Sequence, residues 1–212
     1  MAQEAMSKYR QFGFLVDAGV EVSPDEYLTK PGKIDDLLRK GAIYKDKKKR
    51  FWVDGHGHTC FTIYAKGLHI TNGDRPIYWQ WTTDSDRIEV AKALKARWLE
   101  VKGSFWTMDL SPETLYKVSF LTRMEGSQGT SVNSMAEHTV SLRLTLPDGN
   151  NQERQAILPK KEGQPPGPWH ELEVGLFTVT TDNVGKMEFS MQRSFGRWMG
   201  GLVIGGVEIK PV

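Results

Sequence analysis

The sequence has one cysteine, no long apolar run and almost no net charge, and each shortage removes a class of protein. With Cys60 alone no intramolecular disulfide can form, which favours a reducing compartment. The first residues, MAQEAMSKYRQFGF, lack the apolar stretch a secretory signal requires. Nowhere do about 18 apolar residues follow one another, so no segment reads as a membrane-spanning helix. The expected setting is the cytoplasm, or the cytoplasm and nucleus. A formal charge of +2, from 28 Lys and Arg against 26 Asp and Glu, is too small to announce a nucleic-acid binder. Catalytic signatures are missing as well. There is no G-x-x-x-x-G-K phosphate loop and no G-x-S-x-G elbow. Cys60, between Thr59 and Phe61, reads as a small core or edge residue. His56-Gly57-His58 is the one candidate metal pair, but it has no third ligand nearby and reads as a solvent-facing turn. Asp74, Asp84, Asp86 and Glu89 stand in polar surroundings, with nothing to raise the pKa of one of them for acid catalysis. The expectation is a binding protein that needs no cofactor or metal.

What is present is a globular composition, 39 % hydrophobic and 25 % charged over 212 residues, enough for one domain with a substantial core. Residues 1–31 show no sustained period and are expected to form a poorly ordered N-terminal arm; the domain proper is expected over 32–212. Ile34, Leu37 and Leu38 share a helical face, and Gly41 sits where a helix would stop. The basic run Lys45 to Arg50 reads as a solvated turn, with a nuclear import signal or an RNA-phosphate contact as sharper alternatives. From Phe51 the period switches to two. Phe51-Trp52-Val53, a Gly-rich turn, then Phe61 and Ile63 form a hairpin signature. Residues 88–101 read as a short helical turn feeding a strand. Tyr116, Val118 and Phe120 alternate, and so do Val140, Leu142, Leu144 and Leu146. The same pattern recurs at Leu172, Val174 and Leu176, and at Met187, Phe189 and Met191. The final strand carries Leu202, Ile204, Val207 and Ile209, with a bulge expected at Gly205-Gly206. Residues 147–168 are polar and proline-rich and are expected to be one long loop. Many short alternating strands with few helical periods predict an all-β sandwich or barrel.

Seven tryptophans are the other positive feature. Two of them lie in Leu68–Trp81, LHITNGDRPIYWQW, where a short strand ends in an Asn-Gly-Asp turn before Tyr78-Trp79-Gln80-Trp81. Alternation places Trp79 and Trp81 on one face, with two readings open: both indoles fill the core, or one fills it and the other is exposed. An exposed indole beside Asn and Asp suits a sugar, whose C–H faces stack on the ring while its hydroxyls take directional hydrogen bonds.

The ordered series of segments resembles the phloem protein 2 family of Nictaba-like plant lectins. It comprises Leu68-His69-Ile70-Thr71, Gly73-Asp74, Tyr78-Trp79-Gln80-Trp81, Glu89-Val90-Ala91, Trp98 to Gly103, Leu110 to Tyr116, Trp169 to Gly175 and Trp198 to Pro211. The upstream FWVDGHGHTCFTIYAKGL fits as well, so the likeness runs from Phe51 to the C-terminus. The resemblance implies a jelly-roll-like β-sandwich that binds N-acetylglucosamine oligomers (chitooligosaccharides) and related N-glycan cores, as a homodimer, in phloem or defence. It places the sugar at Trp79 as the stacking platform; Trp81 beside it, Asn72, Gly73 and Asp74 in the preceding turn, and Gln192, Arg193 and Ser194 in a facing loop complete the expected site. Asn72 stands where the resemblance expects a second tryptophan, and Gln192 and Ser194 where it expects an acid and an amide. Some members of that family carry an N-terminal F-box, and the arm, short and without a long leucine-rich helical pattern, is not expected to form one.

Overall fold

The structure, a computed structural model, describes residues 2–21, 29–125, 139–160 and 167–212. Strict alternation does what it predicts. Thirteen strands form two antiparallel sheets among the described residues, packed face to face as an all-β, jelly-roll-like sandwich with two helices. The larger sheet contains β1 (Ala42–Tyr44), β2 (Lys49–Val53), β3 (Thr59–Tyr64), β5 (Trp79–Thr83), β6 (Glu89–Ala93), β8 (Leu115–Met124), β11 (His170–Thr178) and β13 (Leu202–Pro211). The smaller runs in the order β10 (Asn151–Ile157), β9 (Thr139–Thr145), β12 (Lys186–Met199), β7 (Ala96–Trp106) and β4 (His69–Ile70). Aromatic pairs bridge the layers. Phe61 of β3 meets Phe105 of β7 at 4.7 Å between centroids, and Phe120 of β8 meets Phe189 of β12 edge-on at 6.0 Å.

β13 is the hinge of the larger sheet. Its first residues pair with β6 and its later ones with β3, while its other edge runs along β8. The expected bulge makes this switch possible, since the register along β8 jumps between Ile204 and Gly206. Gly206 is required there, because a Cβ would lie 2.3 Å from the Ile63 carbonyl oxygen.

Four expectations met different outcomes. Ile34 and Leu38 are buried in helix α2 (Pro31–Lys40), which stops at Gly41 with φ +68°, as read. The arm is corrected where it is described: Ala2–Asp17 is helix α1, with Phe14 and Leu15 in the core. Phe14 packs edge-on against Phe61 at 5.2 Å, and Gln11 Nε2 donates to the Gly57 carbonyl at 2.9 Å and to Thr59 Oγ1 at 3.1 Å. Among the described side chains of α1 the buried ones are Gln11, Phe14 and Leu15, so one of these positions is polar and an apolar count misses the period. Residues 88–101 contain no helical turn. Glu89–Ala93 is a strand because β5 and β13 flank it, and those ladders override the helix preference of its alanines. Part of the expected loop is also a strand. β10 is an edge with alternate polar residues on both faces, so it carries no apolar rhythm, yet it pairs with β9 over seven positions. Residues 161–166 of that loop lie outside the described residues.

Because Leu15 is 1 % exposed, Leu15→Ala is expected to cost about 2–5 kcal/mol of unfolding free energy in a urea titration. An unchanged midpoint would mean that α1 is not part of the cooperative unit.

Candidate functional site

The site begins with the alternation of β7. Leu99, Val101 and Phe105 point into the core, which leaves Trp98, Glu100, Lys102, Ser104 and Trp106 on the outer face. β12 runs beside it with Gln192 opposite Glu100, Ser190 opposite Lys102 and Glu188 opposite Ser104. β9 adds Ser141, Arg143 and Thr145 in register with Gln192, Ser190 and Glu188. A polar groove of about 520 Å³ follows this face, lined by His69, Lys102, Arg143, Thr145, Lys186, Glu188, Ser190 and Gln192 among others. Its cations are paired: Lys102 with Glu100 at 2.6 Å, Arg143 with Glu153 at 2.5 Å and Lys186 with Glu188 at 3.1 Å.

Glu100 ties the groove to the turn after β4. Its Oε2 accepts from Thr71 Oγ1 at 2.8 Å, its Oε1 accepts from Gln192 Nε2 at 3.5 Å, and its carbonyl accepts the Thr71 N–H at 3.0 Å. Hydrogen bonds from Lys102 and then Thr71 hold its carboxyl below the usual carboxylate range. Trp98 lies two residues along the same face, roughly 7 Å away at strand spacing, with 48 % of its surface open.

The expected site residues divide. Asn72 and Asp74 are exposed on the turn, Asn72 at φ +59°, and Gly73 closes it with an N–H bond of 2.8 Å to the Ile70 carbonyl. Gln192 joins them through Glu100. Trp79 does not, which corrects its expected role as the stacking platform. It is 3 % exposed and belongs to the core, and its Nε1 donates to the Thr71 carbonyl at 3.1 Å. Trp81 shares its face but is half-buried, donating to the Gly73 carbonyl at 2.8 Å with the Lys66 ammonium 4.0 Å over its ring. Both indoles therefore pin the turn rather than present it. Arg193 follows Gln192 with opposite pleat, and its guanidinium donates to the Thr139 carbonyl at the sheet end, away from the groove. The Ser194 side chain lies outside the described residues; its backbone pairs with Trp98. Glu100, Lys102 and Trp98 were the residues to add. The signal was the outward phase of β7.

The other candidates have structural roles. Asp54 Oδ1 accepts the N–H groups of His56 and His58, each at 2.8 Å, which builds the turn. Among the described residues no three His, Cys, Asp or Glu side chains are grouped to hold a metal ion. The Cys60 thiol is 2 % exposed and pushed up to about 12 by burial, opposite to what a nucleophile requires. Lys45 to Lys48 form the β1–β2 turn, but Lys49 lies 5.0 Å over the Phe105 ring and Arg50 5.2 Å over Trp52. The run therefore does not present all its charges on one surface. No helix among the described residues is long and apolar enough to cross a membrane.

A family model described as Phloem protein 2 matches residues 58–211. Protein PHLOEM PROTEIN 2-LIKE A1 of Arabidopsis thaliana is 31 % identical, covering 84 % of this chain and 72 % of that protein. A protein named Lectin from Luffa acutangula is 30 % identical over 84 % of each. Putative F-box protein PP2-B12 of Arabidopsis thaliana is 30 % identical over 80 % of this chain and 68 % of its own length.

Proposed function

The chain belongs to the phloem protein 2 family, and from that premise we propose that it is a carbohydrate-binding lectin. The proposed ligands are N-acetylglucosamine oligomers, taken where the 71–74 turn meets the groove on the outer sheet face. The observation that carries this reading is the Thr71–Glu100–Gln192 junction, which sets hydrogen-bonding groups of fixed orientation beside the open indole of Trp98. A pyranose ring would lay its C–H face on Trp98. Glu100 has acceptor positions beyond those used by Thr71 and Lys102, because a carboxylate has about four lone-pair sites. One of these suits a sugar hydroxyl or an acetamido N–H. Gln192 offers a donor and an acceptor, and Asp74 and Asn72 extend the polar rim. The relative named Lectin supports the carbohydrate class. Such a protein orients a ligand and releases it unchanged.

Calorimetric titration with chitotriose tests the reading. Stacking on and hydrogen bonding to an uncharged sugar release few counter-ions, so affinity should change little between ~50 and ~500 mM salt, whereas phosphate contacts would make it fall steeply. Absence of binding by the folded chain, or a steep salt slope together with RNA binding, would reject it.

A further inference from the structure

Trp106 stands at the far end of the same sheet face, well away from the Thr71–Glu100–Gln192 junction. It lies eight positions along β7 from Trp98, so the pleat returns it to the same side, about 27 Å away at strand spacing. The polar groove runs between the two indoles. Gln192 lines its near end opposite Glu100, and Lys186 lines its far end opposite Trp106.

Trp106 is 52 % exposed, much as Trp98 is. Trp79 and Trp81 each donate an N–H to a carbonyl of the 71–74 turn. The two β7 indoles make no side-chain hydrogen bond and no ring contact among the described residues, so both the ring faces and the N–H groups are free for a ligand. Lys186, the cross-strand neighbour of Trp106, is paired with Glu188 at 3.1 Å rather than set over the ring. The backbone at this end is fixed by the next residue. Thr107 is fully buried, with its N–H on the Gly185 carbonyl at 2.9 Å and its Oγ1 on the Asn183 carbonyl at 2.7 Å. The platform is therefore preformed, which lowers the ordering cost of binding.

A single exposed indole calls for no explanation. Two open indoles in phase on one strand, one at each end of a polar groove, match a linear chain of sugar rings. Its C–H faces stack at the ends while its hydroxyl and acetamido groups lie over the polar floor. Extending the lectin reading above, on which this inference rests, we propose that the groove takes an extended linear oligosaccharide along β7, with Trp106 as a second, distal stacking platform. Three β-linked pyranose rings fall short of the span, and six cover it. The rings between pass over Lys102, Ser104, Ser190 and Glu188. Trp106 then selects for chain length, while the Glu100 junction selects for the sugar unit.

Calorimetric titration of the full chain with chitotriose and chitohexaose tests this. A hexaose contains four overlapping triose frames, so statistics alone raise its affinity up to about fourfold. The distal platform should raise it roughly tenfold further, the equivalent of one stacked ring. Trp106→Ala should return the hexaose-to-triose ratio to about fourfold or less, and leave triose affinity and the urea midpoint unchanged. Trp106→Phe, which keeps a ring, should retain most of the excess. A ratio of about fourfold or less in the unaltered chain would overturn the proposal, while triose binding would still uphold the lectin reading. An excess that survives Trp106→Ala would overturn it too, and so would a loss of triose affinity in that variant. If neither oligomer binds, the lectin reading and its extension fail together.

Discussion

Trp79→Ala is expected to lose about 3–5 kcal/mol of unfolding free energy, the range for deleting a large buried aromatic. The ring is 3 % exposed, and its removal leaves a cavity between β5 and the turn after β4. It also removes the donor to the Thr71 carbonyl. Since domains are stable by only about 5–15 kcal/mol, the variant should show a much lower urea midpoint and be partly unfolded on warming. Trp81→Ala provides the control. Its ring is half-buried and its outer face carries Lys66, so its loss should cost clearly less. Chitotriose binding then separates two roles for Trp79. If the ring acts only through the core and the turn it pins, affinity should fall together with stability, as the folded fraction falls and the turn loosens. A variant that kept its midpoint within about 0.5 kcal/mol and still lost the sugar would show that Trp79 is a ligand face.

That test bears on what a linear pattern can tell. Alternation through Val140, Leu142 and Leu144 revealed β9 at once, because one face of the strand is core and the other is water. The same rule correctly put Trp79 and Trp81 on one side. It carries no information on what lies over that side, and the answer is the 71–74 turn, folded back to accept from both indoles. β10 was hidden for a related reason. An edge strand with polar residues on both faces has no apolar rhythm, and only its ladder to β9 defines it. Helix α1 was hidden because Gln11 occupies a core position, satisfied by Gly57 and Thr59 from another element. Within the candidate site, Gln192 and the turn were visible through their resemblance to a family pattern. Glu100 was not singled out. An acid at an outward position between Leu99 and Val101 looks like any solvated carboxylate until β4 and β12 bring Thr71 and Gln192 to it.

Glu100→Gln is therefore the sharpest test of the proposed sugar site. The substitution keeps the shape of the side chain and removes its charge. A carboxylate accepts from Thr71, Lys102 and Gln192 together, whereas an amide has one acceptor oxygen and two N–H groups that face those donors. Stability should change little, since partly exposed ion pairs contribute about 0–1 kcal/mol. Chitotriose affinity should fall about tenfold, the equivalent of one hydrogen bond to a charged acceptor. The pH dependence makes the assignment specific. Because the folded-state pKa of Glu100 lies below its ordinary 4.5, the charged form persists as pH falls through that value. Affinity of the unaltered chain should therefore hold from neutral pH to about 4.5 and decline only below it, while the Gln variant should show no Glu100 component to the decline. An unchanged affinity in Glu100→Gln would place the sugar elsewhere on the sheet face. A decline that begins well above 4.5 would assign the titrating group to a residue other than Glu100.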